Sequence, residues 1–175
     1  MPYRLPEKLT TGNHSMATVA KNTLEVGDKA PPFTLPADAG SEISLSGLRG
    51  KTVVLYFYPK DDTSGCTAEA IAFSRDAKAF KQAGAVVIGI SKDSVASHDK
   101  FKAKHGLAVT LASDEETKVA QAYGVWGEKS MYGRRYMGIE RATFLIDGNG
   151  VIRKIWRKVK VPGHPEEVLA AIKAL

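Results

Sequence analysis

The chain has almost no cysteine, because Cys66 carries the one thiol among its 175 residues. A single cysteine excludes a disulfide within the chain and a zinc site built from several cysteines. Long apolar runs are also missing: no stretch approaches the ~18 uninterrupted apolar residues that suggest a membrane span. We therefore expect no association with membranes. Histidines are few, and they lack metal-ligand spacing such as HExxH, so no metal site is predicted; they stand at positions 14, 98, 105 and 164.

The N-terminal segment lacks the apolar stretch of a secretory signal, and its prolines and glycine would interrupt an amphipathic transit helix. We interpret residues 1–23 as a flexible leader and residues 24–175 as one folded domain. A transit segment and a translation start at Met16 remain open alternatives. A cytoplasmic location is expected.

Positive charge exceeds negative charge by six, which could attract nucleic acid. The densest basic run, Arg153 to Lys160, however alternates with Ile155, Trp156 and Val159, as a strand with one solvated face does. We therefore expect no nucleic-acid partner. Apolar residues make up 43% of the chain and charged residues 25%, which is typical of a protein that buries a core.

Alternating strand and helix patterns predict an α/β protein. The run Thr52–Tyr58 is typical of a central strand buried on both faces, and Ala85–Ile90 resembles it. A helix over residues 66–83 would join these two strands as a parallel pair by a right-handed crossover. The other predicted elements are strands at Phe33–Leu35, Ile43–Leu45, Val109–Leu111, Ala142–Ile146 and Val151–Trp156, and helices at 94–105, Glu115–Tyr123 and Pro165–Leu175. This order is the thioredoxin-like arrangement, a mixed central sheet flanked by helices.

Cys66 is predicted to lie in the first turn of the helix that follows the central strand. The unpaired backbone N–H groups of a helix N-terminus favour negative charge, and Thr63 or Ser64 can serve as the N-cap. A lone cysteine is commonly a small buried hydrophobic residue. At a helix N-terminus, however, the thiolate is stabilised, and the thiolate is the nucleophilic form. Its position therefore makes Cys66 a candidate nucleophile.

The order Pro-x-x-x-Thr-x-x-Cys, formed by Pro59, Thr63 and Cys66, resembles the active-site signature of peroxiredoxins. A further block, Val26–Leu35, is similar to the N-terminal entry of that family. Two more, Tyr132–Asp147 and Val161–Leu169, are similar to its bacterioferritin-comigratory-protein branch, also called PrxQ. The resemblance covers residues 24–175. It implies a cofactor-free antioxidant enzyme, a thiol peroxidase acting on hydrogen peroxide and organic hydroperoxides in cell redox homeostasis.

The resemblance also implies a role for each site residue. Cys66 would attack the peroxide and become a sulfenic acid, while Thr63 would hydrogen-bond the peroxide. Pro59 would shield the sulfur, Arg141 would hold the thiolate and polarise the peroxide, and Glu69 would orient Arg141. Simpler interpretations exist: Thr63 could be only a helix cap and Pro59 only a strand terminator. Arg141 could pair with Glu140 on the surface, and Glu69 could merely favour the start of the helix.

The sequence departs from the branch in its missing second cysteine. Many members carry a resolving cysteine five residues after the first, where this chain has Ile71, and others carry it in the next helix, where this chain has none. Ser64 also replaces a proline common in the branch. The resemblance then implies a one-cysteine mechanism completed by an external thiol, which could be thioredoxin, glutaredoxin or glutathione, in a monomer or weak dimer.

Two other functions remain open at this point. Cys66 could make a thioredoxin-like domain into a redox sensor or holdase that passes oxidation to a partner protein. A disulfide oxidoreductase is disfavoured because no Cys-x-x-Cys is present. Away from this segment, we interpret His98 and His105 as surface residues, and Trp126 and Trp156 as packing residues.

Overall fold

The structure is a computed structural model that describes residues 23–175. The predicted leader, apart from Thr23, lies outside the described residues. The helices and strands follow in the order β1 (Thr34–Pro36), β2 (Glu42–Ser44), β3 (Thr52–Phe57), α1 (Ser64–Arg75), α2 (Ala77–Gln82), β4 (Ala85–Ser91), α3 (Val95–His105), β5 (Thr110–Ser113), α4 (Lys118–Ala122), β6 (Trp126–Met131), β7 (Arg134–Ile139), β8 (Ala142–Ile146), β9 (Ile152–Trp156) and α5 (His164–Lys173).

A five-stranded mixed sheet forms the centre of the fold, with the strand order β5-β4-β3-β8-β9. β3 pairs in parallel with β4 and antiparallel with β8, so that Leu55 lies opposite Ile88 on one side and Phe144 on the other. This confirms the predicted α/β, thioredoxin-like fold with a mixed sheet. β3 is consequently a rigid, doubly paired platform for the loop that follows it.

The two faces of the sheet bury two separate apolar clusters, because side chains alternate along a strand. Leu55 and Phe57 belong to the cluster on the face that also contains Val119 and Ala120 of α4. Val54 and Tyr56 belong to the cluster on the opposite face, together with side chains of α1, α2, α3 and α5. Cys66 lies in this second cluster and is 2% exposed. The predicted nucleophile is therefore itself part of the buried apolar core.

Two predicted helices differ from the structure. The helix expected over 66–83 is divided into α1 and α2 at Asp76, whose type favours a helix interior only weakly. The helix expected at Glu115–Tyr123 is shortened to α4, because Thr117 has a left-handed φ of 59°. The Asp114 carboxylate accepts hydrogen bonds from the first backbone N–H groups of α4, at 2.8 Å from the nitrogen of Ala120.

The hairpin formed by β6 and β7 was not predicted. Its strands pair from Trp126 opposite Ile139 to Met131 opposite Arg134, outside the central sheet. Its turn residues Tyr132 and Gly133 both have positive φ, as a two-residue hairpin turn requires. Most of its side chains are exposed, so neither strand shows the apolar alternation that identifies strands in a sequence. No helix among residues 23–175 has the length and apolarity to cross a membrane.

Candidate active site

Cys66 is the third residue of α1, which begins immediately after the loop that leaves β3. Thr63 occupies the N-cap position with extended backbone, as predicted, but its hydroxyl does not cap the helix. Instead Thr63 Oγ1 donates a hydrogen bond to the carbonyl oxygen of Lys60 at 2.9 Å. Ser64 is already helical. The first turn of α1 thus keeps backbone N–H groups without helical partners beside the sulfur.

Arg141 lies between β7 and β8 and brings its guanidinium to the sulfur. Its Nη2 donates to Cys66 Sγ at 3.2 Å, and its Nη1 donates to Glu69 Oε1 at 2.7 Å. The structure therefore brings together Cys66, Glu69 and Arg141, although Arg141 is 75 residues from the cysteine. Arg141 is not part of a surface ion pair. The neighbouring Glu140 pairs with Arg157, whose Nε lies 2.8 Å from its Oε2.

Glu69 is completely buried, which is unusual for a carboxylate. Burial raises the pKa of Glu69 to about 7, although the Arg141 guanidinium acts in the opposite direction. Among residues 23–175, its second carboxylate oxygen, Oε2, has no hydrogen-bond partner that would favour the charged form. For Arg141, burial acts to lower the pKa, but Glu69 and Cys66 outweigh it and the pKa is raised. The guanidinium therefore stays positively charged beside the sulfur.

Gly65 gives the guanidinium the space it occupies. A Cβ atom at this position would lie 3.1 Å from Arg141 Nη2, closer than most Cβ contacts. Sequence reasoning did not include Gly65 among the site residues. Its place directly before Cys66 could have suggested the role, because glycine commonly stands where another group approaches the backbone closely.

Pro59 and Thr63 lie at the two ends of the loop between β3 and α1. Pro59 is half-buried and Thr63 is exposed. The Thr63 hydroxyl uses its single proton on Lys60, so its oxygen lone pairs remain able to accept a hydrogen bond. The roles of both residues toward a peroxide stay predictions.

Lys129 of β6 is a further basic residue at the site that the sequence did not indicate. Its Nζ donates to the carbonyl oxygen of Ile139 at 2.7 Å, two residues before Arg141. Burial and the positive charge of Arg141 lower the pKa of Lys129, while Cys66 and Glu140 act to raise it. No sequence signal marked Lys129, because the hairpin that carries it was not predicted.

The interpretation of His98 as a surface residue was wrong, since its side chain is fully buried. Its Nδ1 lies 2.8 Å from Asp61 Oδ2 and its Nε2 lies 3.0 Å from the carbonyl oxygen of Ala112. Burial acts to lower the pKa of His98, but Asp61 outweighs it and the pKa is raised. The cost of burying the ring is offset by this partner. His105 is partly exposed and pairs with Asp62 at 2.8 Å.

Comparisons with known proteins agree with this geometry. Residues 26–155 match the model of the AhpC/TSA family. A putative peroxiredoxin bcp of Coxiella burnetii is 54% identical over 150 residues, which cover 86% of this chain and 99% of the relative. Peroxiredoxin Bcp of Bacillus subtilis is 50% identical and covers 86% of this chain and 96% of its own. Xanthomonas campestris peroxiredoxin Q superposes with a TM-score of 0.78 at 46% identity, covering 81% of this chain and 90% of its own.

The chain belongs to the AhpC/TSA family, in its Bcp/PrxQ branch. It is a peroxiredoxin, a thiol peroxidase and therefore an oxidoreductase. The resemblance found in the sequence is confirmed, and the expected antioxidant enzyme class with it. Family membership implies a peroxide as substrate and a thiol as reductant. The one cysteine of this peroxiredoxin agrees with a member that lacks the resolving cysteine.

Proposed function

We propose that this peroxiredoxin reduces hydrogen peroxide and organic hydroperoxides through a sulfenic acid on Cys66, which an external thiol resolves. The observation that carries the proposal is the 3.2 Å hydrogen bond from Arg141 Nη2 to Cys66 Sγ at a helix N-terminus. A guanidinium stays charged and offers several donors at once. It can therefore bind the sulfur as a thiolate and still direct a donor toward a peroxide oxygen.

In the first half-reaction, the Cys66 thiolate attacks the terminal oxygen of ROOH. The S–O bond forms as the O–O bond breaks, the sulfur is oxidised to sulfenic acid, and RO⁻ takes a proton from solvent to leave as ROH. Arg141 stabilises the negative charge that moves from sulfur to the departing oxygen. The lone pairs of Thr63 Oγ1 accept the peroxide O–H, and Pro59 limits the access of water to the sulfur.

Glu69 acts on this reaction through Arg141. Its Oε1 holds one end of the guanidinium at 2.7 Å, which leaves Nη2 directed at the sulfur. Glu69 is a positioning residue rather than a catalytic one, because the 2.7 Å bond connects it to the guanidinium and not to the sulfur. No metal or organic cofactor takes part in the proposed cycle.

In the second half-reaction, an external thiol must supply what the chain lacks. A thiol R′SH attacks the sulfenic sulfur, an S–S bond forms and water leaves. A second R′SH attacks the mixed disulfide, releasing R′SSR′ and the Cys66 thiolate, so ROOH and two thiols give ROH, water and one disulfide. Cys66 is only 2% exposed, and the start of α1 must therefore open for this step. Thioredoxin, glutaredoxin and glutathione are the candidate reductants for an enzyme that we expect to be a monomer or weak dimer.

Mass spectrometry after one equivalent of peroxide tests the first half-reaction. We expect one added oxygen on Cys66, or an adduct with added thiol, and no change in Cys66→Ser. Peroxide consumption measured side by side with thioredoxin, glutaredoxin, glutathione and dithiothreitol then identifies the reductant. An unmodified Cys66 thiol would refute the proposal, and reaction with peroxide without turnover on any thiol would favour a redox sensor instead.

Without a built-in resolving cysteine, the sulfenic acid persists longer and meets further peroxide. We therefore expect over-oxidation of Cys66 to sulfinic acid at high peroxide, which is irreversible without a dedicated repair enzyme. Activity measured after successive additions of excess peroxide checks this expectation. Full activity after many additions would count against the one-cysteine mechanism.

A further inference from the structure

The peptide group between Lys60 and Asp61 connects the active-site loop to the end of β4. On one side, its carbonyl oxygen accepts the hydroxyl proton of Thr63 at 2.9 Å. On the other side, its N–H donates to Asp93 Oδ2 at 2.8 Å. A peptide group is planar, so a rotation that moves the N–H also moves the carbonyl. The carboxylate of Asp93 therefore influences where the Thr63 hydroxyl points.

Asp93 is itself held firmly, two residues after the end of β4. The Ser91 hydroxyl donates to Asp93 Oδ2 at 2.7 Å, and the Asp93 N–H donates back to Ser91 Oγ at 3.2 Å. The Ser113 hydroxyl, at the end of β5, donates to the Asp93 carbonyl oxygen. Asp93 is thus fixed to two strands of the central sheet, its carboxylate through Ser91 and its backbone through Ser113.

The side chain of Asp61 fixes the same peptide from the interior. Its Oδ1 accepts the Tyr58 hydroxyl at 2.6 Å, and its Oδ2 accepts Ser97 Oγ and His98 Nδ1, each at 2.8 Å. Asp61 is 7% exposed, so these bonds are shielded from water. Because the Asp61 side chain is anchored, the remaining motion of the peptide group is rotation about the axis between its two Cα atoms. The hydrogen bond from the Asp61 N–H to Asp93 Oδ2 restrains this rotation.

We propose that Asp93 is a positioning residue for peroxide reduction, which aims the Thr63 hydroxyl by fixing the Lys60–Asp61 peptide. The inference rests on the proposed function, in which Thr63 accepts the peroxide O–H. While Thr63 donates its proton to Lys60, its lone pairs face the substrate as acceptors. When the Lys60–Asp61 peptide rotates, the Thr63 hydroxyl turns with the Lys60 carbonyl oxygen that accepts its proton. The lone pairs of Thr63 Oγ1 then no longer point at the peroxide. Asp93 then matters for peroxide and not for electrophiles that need no Thr63.

The test compares two electrophiles on Cys66 in Asp93→Ala. We expect the second-order rate constant for sulfenic acid formation with hydrogen peroxide to fall about five- to tenfold, as for the loss of one hydrogen bond. Alkylation by iodoacetamide, which needs no peroxide acceptor, should keep the wild-type rate. Asp93→Asn retains a carbonyl oxygen that can accept the Asp61 N–H, and it should recover most of the lost rate. An equal loss with both electrophiles would show a merely structural role and overturn the proposal.

A double-mutant cycle with Thr63→Val decides whether Asp93 acts through Thr63. We expect Asp93→Ala to slow the wild-type reaction but to add no further loss in Thr63→Val. The same fold-loss in both backgrounds, or none in the wild-type background, would overturn the proposal. The reaction of the wild-type protein distinguishes a failure of the proposed function from a failure of this inference alone. If wild-type Cys66 forms no sulfenic acid, the proposed function fails, whereas normal wild-type reaction with an unaltered Asp93→Ala variant removes only this inference.

Discussion

The substitution Ile71→Cys tests whether α1 opens after Cys66 is oxidised. Residue 71 lies five positions after Cys66 within α1, and Ile71 is 43% exposed. In an intact helix five residues rise about 7.5 Å and place the two Cα atoms about 8.7 Å apart. A disulfide needs Cα atoms closer than about 7 Å. A bond between residues 66 and 71 can therefore form only when the first turns of α1 unwind.

If α1 opens as proposed, the new thiol reacts with the Cys66 sulfenic acid and water leaves. A partner joined by so short a segment has an effective concentration on the order of millimolar. The disappearance of the sulfenic acid in Ile71→Cys should therefore be independent of added thiol below ~1 mM. In the wild-type enzyme the same step should be first order in thiol. The variant should also resist over-oxidation, because its sulfenic acid is short-lived.

The assay follows sulfenic acid loss at several thiol concentrations, together with mass mapping of non-reduced peptides. Ile71→Ser is the matched control, since it removes the same exposed side chain without adding a thiol, and it should behave as the wild type. Persistent sulfenic acid and no disulfide between positions 66 and 71 would refute the reasoning. Cys66 would then have to be resolved in the folded helix, despite its burial.

Three further predictions address the site and the core. Arg141→Met removes a charge-assisted hydrogen bond to Cys66, worth about 1.5–3 kcal/mol. Sulfenic acid formation should therefore slow by about one to two orders of magnitude in stopped-flow assays, and a near wild-type rate would contradict this. The raised pKa of Glu69 means that its contribution to the free energy of unfolding is complete below about pH 4.5 and is lost as the pH rises to about 7. Glu69→Gln should flatten this part of the pH dependence in urea unfolding, and an unchanged slope would argue against it. Gly89→Ala places a Cβ 2.6 Å from Tyr56 Cζ and should cost about 1–3 kcal/mol in the same assay, where an unchanged midpoint would be inconsistent with the packing.

The central sheet could be predicted because its strands are buried on both faces. Continuous apolar runs such as Thr52–Tyr58 leave few other structures open, and the crossover to Ala85–Ile90 follows from handedness. The position of Cys66 at the start of α1 follows from the same reasoning. The hairpin at 126–139 could not be predicted, because most of its side chains are exposed and its strands lack the alternation of apolar and polar residues.

The site was predictable to the extent that local sequence and family resemblance specify it. Thr63 and Cys66 lie next to each other at the N-cap and in the first turn of α1. The resemblance implied that Arg141 and Glu69 act beside them, and in the structure Arg141 contacts both Glu69 and Cys66. The burial of His98 was not predictable from its own helix. It depends on Asp61, a residue 37 positions away, whose carboxylate offsets the cost of burying the imidazole ring. Long-range pairs of this kind are decided by tertiary packing rather than by periodicity.

Oxidation itself should favour the opening of α1 that the proposed one-cysteine mechanism needs. Arg141 directly precedes β8, and its Nη2 connects that end of the strand to the start of α1 through a 3.2 Å bond to the sulfur. A hydrogen bond to a thiolate is charge-assisted, whereas a neutral sulfenic acid offers a weaker acceptor. The oxidised sulfur also carries an additional oxygen in a pocket where Cys66 is already 2% exposed. The contacts that favour attack on peroxide therefore weaken once the attack is complete, and α1 should exchange its amide hydrogens faster in the sulfenic state than in the reduced state.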